Sequence, residues 1–470
     1  MFVGRTRELA TLERRWNSSR FECVIVYGRR RVGKTTLINR FLDGRPSIFF
    51  PAIESNAARN LENLSRSIAL YRAAAGDDGL ADTADAAPVY QDFASALEAV
   101  FSLARRKRLA LVIDEYPYLA KADRSISSVL QHAIDRHKDD SRLMIILCGS
   151  SMSFMERQVL GYSSPLYGRR TAQIKVDPFG YADTRTFLPR YGAEDAAIAY
   201  GLTGGIPQYL RQIDDAESIT DNIRWNIIDP DCYLFEEPGN LLKQELRSPS
   251  EYNAVIQAIA SGASRANAIA TACHMETASC ATYLRNLIDL GILYKETPFG
   301  EHAPRKTIYR IKDSFFRFWY RYIPANLPLI QSGNVDIAAE RITRSINDFM
   351  GPVFEDICTQ WLWAHDTTGE LPFLILDSGR WWGADPRTRS QEEIDIVATG
   401  EDPKTMLFCE CKWRSVPTGL RQLETLRSRA ELLHPAHGYY MLFSKNGFDE
   451  HVTDRAAQAD DVSLVDFKDM

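Results

Sequence analysis

Uninterrupted apolar runs, not alternating ones, punctuate the first third of the chain. FECVIVYG (residues 21–28), SIFFPA (47–52), LALVIDEY (109–116) and RLMIILCGS (142–150) each read as a strand covered on both faces. Stretches of helical periodicity separate them, at Gly33 to Leu42, Asn56 to Tyr71 and Ser125 to His137. Short apolar strands alternating with helices predict an α/β core on a parallel sheet. AAAGDDGLADTADAAP (73–88) is small, acidic and aperiodic, and predicts a surface loop.

The pattern then changes. Pro178 to Leu246 is helical, interrupted by the turn Thr203-Gly204-Gly205-Ile206-Pro207. Residues 248–312 predict three short helices and a hairpin, the order of a winged helix-turn-helix. An aromatic helix, DSFFRFWYRYI (313–323), follows, and ANLPLIQSGN (325–334) reads as a linker. Beyond about Val335, helices mix with the strand-like runs FLILD, EEIDIVA, TMLFCECKW and GYYMLFS. The expected domains are 1–177, 178–247, 248–323 and 335–470.

A length of 470 residues agrees with several domains. The net charge of -6 offers no general attraction to nucleic acid, so any DNA-binding surface must be a local basic patch. Eight cysteines lie mostly in apolar runs, with no CxxC pair and no zinc-like His cluster, which points to reduced, buried thiols. The opening MFVGRTRELATLERRW is charged and amphipathic, unlike a signal peptide, and no apolar run is long enough to span a bilayer. A cytoplasmic location and no membrane partner are expected.

Gly28-Arg29-Arg30-Arg31-Val32-Gly33-Lys34-Thr35 fits GxxxxGK[ST], placed after a buried strand and at the start of a helix. Glycines there let main-chain N–H groups turn toward a phosphate, and the helix N-terminus adds its positive end. Lys34 spans the β- and γ-phosphates in such a loop, and the Thr35 hydroxyl ligates Mg²⁺. The expected nucleotide contacts run from Gly28 through Thr36, with Ser150. The arginines at 29, 30 and 31 either steer phosphate or form a solvated loop tip, and the second is favoured.

Asp114 and Glu115 close the apolar strand ALVIDE, the arrangement in which an aspartate holds the Mg²⁺ shell and a glutamate polarises the attacking water. Ser150 or Ser151, in LCGSSMSFM, sits where a central strand beside the loop would present a γ-phosphate sensor. A plain strand-to-loop turn is the alternative. Arg169 and Arg170 are candidates for neutralising transition-state charge, in cis or from a neighbouring copy, or else are surface or nucleic-acid contacts. ATP and Mg²⁺ are the expected cofactors.

FVGRTRELATLE, YGRRRVGKTTLI, LVIDEYPYL, LCGSS, SPLYGRRT and TGGIPQYL, with the winged-helix pattern ending FFRFWYRYI, together resemble the archaeal-type ATPases. These are AAA+ proteins related to origin-recognition and STAND ATPases, and the resemblance covers nearly the whole chain. It implies that FVGR contacts the nucleotide base and that GGIP lies in a helical lid. TGGIPQYL itself carries no arginine, which leaves Arg211 as the nearest lid arginine.

A second constellation lies near the C-terminus: Glu393-Ile394-Asp395-Ile396-Val397, then Phe408-Cys409-Glu410-Cys411-Lys412-Trp413. Strand alternation puts Glu410 and Lys412 on one face and Cys409 and Cys411 on the other. Asp395 and Glu410 offer hard oxygens to Mg²⁺, and Lys412 would orient a water beside a phosphodiester. Such ExK strings also arise as ordinary cross-strand ion pairs. The pattern resembles the PD-(D/E)XK restriction-endonuclease-like fold. That resemblance implies a helix carboxylate at Glu355 and a polar helix residue at Gln422. Trp381 and Trp382 either stack on bases or anchor the core, with the core favoured.

The third helix of the winged-helix pattern carries one basic residue, Arg285, while the wing carries Lys295, His302, Arg305 and Lys306. DNA contact and a packing or autoinhibitory role are evenly weighed. Two functions follow: an ATPase coupling nucleotide state to DNA binding and Mg²⁺-dependent cleavage, or a STAND-like switch whose C-terminal domain only binds. Assembly with further copies or a partner protein stays open.

Overall fold

The computed structural model describes residues 2–75, 89–301 and 306–470. Most of the expected acidic loop (76–88), and the wing residues His302 and Arg305, lie outside the described residues. The chain divides into two compact units, Phe2–Pro178 and Phe179–Met470.

The first unit is the expected α/β core. Strands β1 (Glu22–Tyr27), β2 (Ser47–Pro51), β3 (Leu109–Asp114), β4 (Leu143–Gly149) and β5 (Ala172–Lys175) form one parallel sheet in the order β2-β3-β4-β1-β5. Every residue of β1, β3 and β4 is buried, which explains why their sequences run apolar without alternation. Alternate residues serve opposite layers: Cys23, Ile25 and Tyr27 join one cluster, Val24 and Val26 the other. Helix α1 (Thr6–Asn17) and helix α2 (Lys34–Leu42) cover the second face through Leu12, Leu37, Ile38 and Phe41. On the first face lie α3 (Ala57–Ala74), α4 (Phe93–Arg106), α5 (Tyr116–Ala122) and α6 (Ile126–His137). Asn56 and Asp92 cap α3 and α4 by accepting from the main-chain N–H of Arg59 and Ser95. The topology leaves β4 between β1 and β3, so three strand ends converge at one edge of the sheet.

The second unit begins with short helices, among them Ala193–Thr203 and Glu237–Glu245. Gly204 and Gly205 turn the chain with φ of 62° and 66°. A Cβ on Gly205 would stand 2.0 Å from the Phe179 carbonyl oxygen, so no side chain fits that turn. Helices Pro249–Ala260, Ala266–Ala272 and Thr277–Asp289 precede the antiparallel pair β6 (Leu293–Glu296) and β7 (Ile308–Ile311).

The structure departs from the sequence expectation at two places. The segment expected as a linker is mostly helix: Ser314–Gln331 runs on through Pro324 and Pro328. Tyr322, Ile323, Asn326 and Ile330 recur at helical spacing and stay buried, and that packing outweighs the two missing N–H donors. FLILD, expected as a strand, contributes only Asp377 to one, and its Leu374 and Leu376 are exposed.

The C-terminal sheet has the order β12-β11-β10-β9-β8. Its strands are β8 (Asp377–Ala384), β9 (Gln391–Thr399), β10 (Thr405–Lys412), β11 (His437–Ser444) and β12 (Val462–Asp466). β8, β9 and β10 pair antiparallel, whereas β10, β11 and β12 pair parallel. Helix Leu420–Ala430 packs Leu423 and Leu426 on Ile394, Val397, Phe408 and Leu442. Among the described residues no helix is long and apolar enough to cross a membrane.

Candidate functional site

The loop after β1 is shaped by its main chain. Arg31 and Gly33 adopt φ of 72° and 88°, and α2 starts at once with Lys34. A Cβ on Gly28 would lie 2.3 Å from the Val176 carbonyl oxygen, because Val176 donates its N–H to Tyr27 at 2.7 Å. Lys34 is buried, and its ammonium donates to the carbonyls of Gly28 and Arg29, both at 2.9 Å. Burial pulls the Lys34 pKa down, while nearby Cys148, Glu115 and Asp114 oppose the fall.

Three strand ends meet around this loop. The Thr35 hydroxyl lies 3.0 Å from Asp114 Oδ2, joining the first turn of α2 to the end of β3. Glu115 sits in the left-handed region (φ 51°) and donates its N–H to Asp114 Oδ1 at 3.0 Å. From the end of β4, the Ser150 hydroxyl donates to Glu115 Oε2 at 2.9 Å. The serine thus holds the glutamate in place.

The loop arginines are half-buried, not a solvated tip, and Arg30 donates to the Tyr118 hydroxyl at 2.9 Å. Thr36 is exposed. Arg5 donates to the Val32 carbonyl at 2.9 Å and pairs with Glu8 at 3.3 Å, bracing the loop from behind. Arg169 is engaged by Asp135 at 2.8 Å, and Arg170 donates to the Leu160 carbonyl at 2.8 Å. Arg170 also lies near Tyr27, where its charge counters the rise that burial imposes on the phenol. In the second unit, Arg211 is exposed.

The C-terminal constellation also assembles. Lys412 makes a close ion pair with Glu410 and a longer one, 3.9 Å, with Asp395. Asp395 Oδ2 accepts the Cys411 N–H at 2.8 Å, across the point where β9 and β10 part. Burial raises the Glu410 pKa, as does the charge of Asp395. Burial lowers that of Lys412, but Glu410 and Asp395 more than offset this and leave it raised. Glu410 Oε2 is buried without a hydrogen bond, with Arg429 at 3.6 Å.

Glu355, on helix Ile346–His365, is pushed up to about 7 by burial and by the charge of Asp395. A cavity of about 340 Å³ opens between Glu355 and Asp395 on one side and β6 and β7 on the other. Gln422 instead caps its own helix, accepting the Gly419 N–H at 3.1 Å. Trp381 is buried in the core of the sheet, and Lys306 is paired with Glu301. Among the described residues no set of three or more His, Cys, Asp or Glu side chains is grouped to hold a metal.

Arg310, Arg380 and Arg429 carried no signal along the sequence, and Tyr118 and Cys148 stood out only as parts of LVIDEYPYL and LCGSS, with no site role. Arg5 stood out only through the FVGR string, and for a different contact. These residues lie far along the chain from the groups they meet, so no local spacing marks them.

Residues 2–213 match the family described as an ATPase domain predominantly from Archaea. Residues 319–425 match one described as Archaea bacterial proteins of unknown function. An uncharacterized protein of Methanocaldococcus jannaschii is 32% identical over 417 residues, 88% of this chain and 88% of that protein. An uncharacterized ATP-binding protein of the same organism is 55% identical over 53 residues, 10% of this chain and 90% of that one. The solved Walker-type ATPase of Pyrococcus abyssi superposes with a TM-score of 0.53 at 21% identity, over 68% of this chain and 96% of that chain. That likeness is one of fold.

Proposed function

The chain belongs to the family of proteins with an ATPase domain found predominantly in Archaea, and from this we propose that it hydrolyses ATP with Mg²⁺ at the loop of its first unit and couples nucleotide state to DNA handled by its second. The observation that carries the first half is the 3.0 Å contact between Thr35 and Asp114. A hydroxyl and a carboxylate from separate elements converge there, the donor pair that suits an octahedral Mg²⁺ completed by water and phosphate oxygens.

Lys34 holds the terminal phosphates, with the third of its N–H donors free for a phosphate oxygen once two loop carbonyls are bonded. Glu115, oriented by Ser150, accepts the proton of the attacking water. Mg²⁺ bound there would neutralise charge on the phosphates. Arg170, close to the loop strand, is better placed than Arg169 to offset developing charge, since Asp135 already engages Arg169.

After the ATPase core we assign residues 178–247 to a helical lid, 248–323 to a winged helix and 335–470 to a PD-(D/E)XK-like domain. The convergence of Lys412 on Glu410 and Asp395 supports the last. Two carboxylates, one with a buried oxygen lacking a hydrogen bond, fit a Mg²⁺ that keeps most of its waters. ATP turnover should collapse in Lys34→Ala and Glu115→Gln; unchanged hydrolysis would overturn those roles. With Mg²⁺ and single-stranded, duplex or branched DNA, cleavage surviving Lys412→Ala and Asp395→Ala would defeat the nuclease assignment.

A STAND-like switch with a non-catalytic C-terminal module is the second reading. It is favoured by the close Lys412–Glu410 pair, which satisfies in an ordinary ion pair the groups a nuclease would need. Absence of cleavage, with DNA or protein binding that responds to ATP, would select it.

A further inference from the structure

The hairpin of β6 and β7 is docked on the C-terminal sheet. The Phe299 N–H donates to the Arg380 carbonyl at 2.9 Å, and the Phe299 ring packs against the core of that sheet. A Cβ on Gly379 would meet the Phe299 ring at 3.4 Å, so a small residue in β8 admits the hairpin. The hairpin therefore walls the cavity whose far side carries Glu355 and Asp395. A winged helix reading DNA with this hairpin would have to present its other face.

Four cations and four carboxylates line the cavity, and the ion pairs between them are long. Arg310 reaches Glu296 only at 3.5 Å, and Arg317 reaches Asp356 only at 3.6 Å. Lys312 and Arg380 complete the set, with one outer nitrogen of Arg380 held by Glu393 in a close ion pair. The Nε atoms of Arg317 and Arg380 are buried with no hydrogen-bond partner. Buried N–H donors without acceptors are costly and are rarely left so in folded proteins. Guanidinium forks favour the paired oxygens of a phosphate. A volume of about 340 Å³ lies at the small end of ligand sites and suits one nucleotide unit, not a duplex.

We propose that the hairpin and the C-terminal sheet form a composite site in which Arg310 and Arg380 hold a phosphate of a single nucleic-acid strand beside Asp395. The proposal deepens the nuclease-like reading and rests on it for the choice of a nucleic acid. Glu355 and Asp395 repel an anion on their own, so binding requires a divalent cation at the Asp395–Glu410 pair. Arg310 and Arg380 are positioning residues in this scheme.

The test uses the full chain, a fluorescent single-stranded oligonucleotide and Ca²⁺ in place of Mg²⁺, followed by anisotropy. Arg310→Gln and Arg380→Gln should each weaken binding about tenfold or more, in keeping with the loss of a charge-assisted phosphate contact. Arg310→Lys should fall between them and the parent, and the exposed control Arg344→Gln should stay within about twofold. Thermal unfolding verifies that each variant is folded; if Arg310→Gln is not, Arg310→Lys and Arg380→Gln decide.

Parent-like binding by folded Arg310 and Arg380 variants overturns the proposal. So does an equal loss in Lys295→Ala, which would place the strand on the exposed hairpin surface. Displacement by inorganic phosphate or a mononucleotide as readily as by unlabelled strand overturns the strand assignment. Arginine-dependent binding without cleavage in Mg²⁺ keeps the site and sinks the nuclease reading. Cleavage with unchanged KM in Arg310→Gln does the reverse.

Discussion

Ser150 donates its hydroxyl to Glu115 Oε2 at 2.9 Å, so a residue at the end of β4 orients the carboxylate that follows β3. The contact exists because β4 lies between β1 and β3 in the sheet. Replacement by alanine leaves the phosphate loop untouched and leaves the glutamate held only by the longer 3.4 Å bond from the Ser150 main-chain N–H. Ser150→Ala should lower kcat for ATP by about ten- to a hundredfold, the usual penalty for losing a group that orients a functional side chain. ATP affinity, measured by calorimetry, should change little; a loss of affinity with full turnover would contradict this role.

Arg5 acts on the same loop from outside it. Its buried guanidinium bonds the Val32 carbonyl, and a charge-assisted hydrogen bond contributes about 1.5–3 kcal/mol. Arg5→Ala should weaken ATP binding about tenfold, through a loosened loop. Arg5→Lys cannot reproduce the fork and should restore only part of the loss. Parent-like affinity in Arg5→Ala would show that the loop holds its shape unaided.

Two glycines of the second unit make opposite forecasts. Gly205 has φ 66° and no room for a Cβ, with the Phe179 carbonyl at 2.0 Å. Gly205→Ala should destabilise by at least about 2 kcal/mol, from backbone strain and overlap together. Gly239 lies in helix Glu237–Glu245 with nothing within 4 Å of a new Cβ, so Gly239→Ala should stabilise by about 0.5–1 kcal/mol. Chemical denaturation of both variants checks the pair.

Glu355 supplies a pH signature. Its carboxyl titrates at about 7 in the folded protein against 4.5 ordinarily, because burial and the Asp395 charge disfavour the anion. Between those values the folded state binds the proton more tightly than the unfolded one. Stability from this group is therefore present below the ordinary pKa and is lost as pH rises through the folded pKa. Glu355→Gln should be more stable than the parent at pH 8, by about 2 kcal/mol once partial solvent access is allowed for, and the difference should close as pH falls below the ordinary pKa of 4.5. A constant difference across that range would refute the assignment. Mg²⁺ at the Asp395–Glu410 pair should shift the parent's curve toward that of the variant.

The phosphate loop and the Asp114-Glu115 pair were legible because each is a short local string set against a buried strand. The strands themselves showed as apolar runs for the same reason: a sheet covered on both faces leaves no polar side to alternate. The ExK string was equally visible, and strand alternation alone put Glu410 and Lys412 on one face. The first half of the helix Ser314–Gln331 was legible as an aromatic run, but its continuation was hidden by Pro324 and Pro328, whose local preference was overruled by the burial of Asn326 and Ile330.

What the sequence determined by itself, then, is everything held within one element or one turn: backbone conformation, periodicity and the identity of the reactive groups. Partner choice between distant segments was decided only by the tertiary structure. Arg5 reaches Val32 across 27 positions, and Ser150 reaches Glu115 across 35. Arg169 turned to Asp135, 34 positions earlier, and not to a phosphate loop. Long side chains with full charges take whichever counter-charge or carbonyl the packing brings within about 3 Å. Strand order and helix packing set that distance, and no spacing along the chain encodes it.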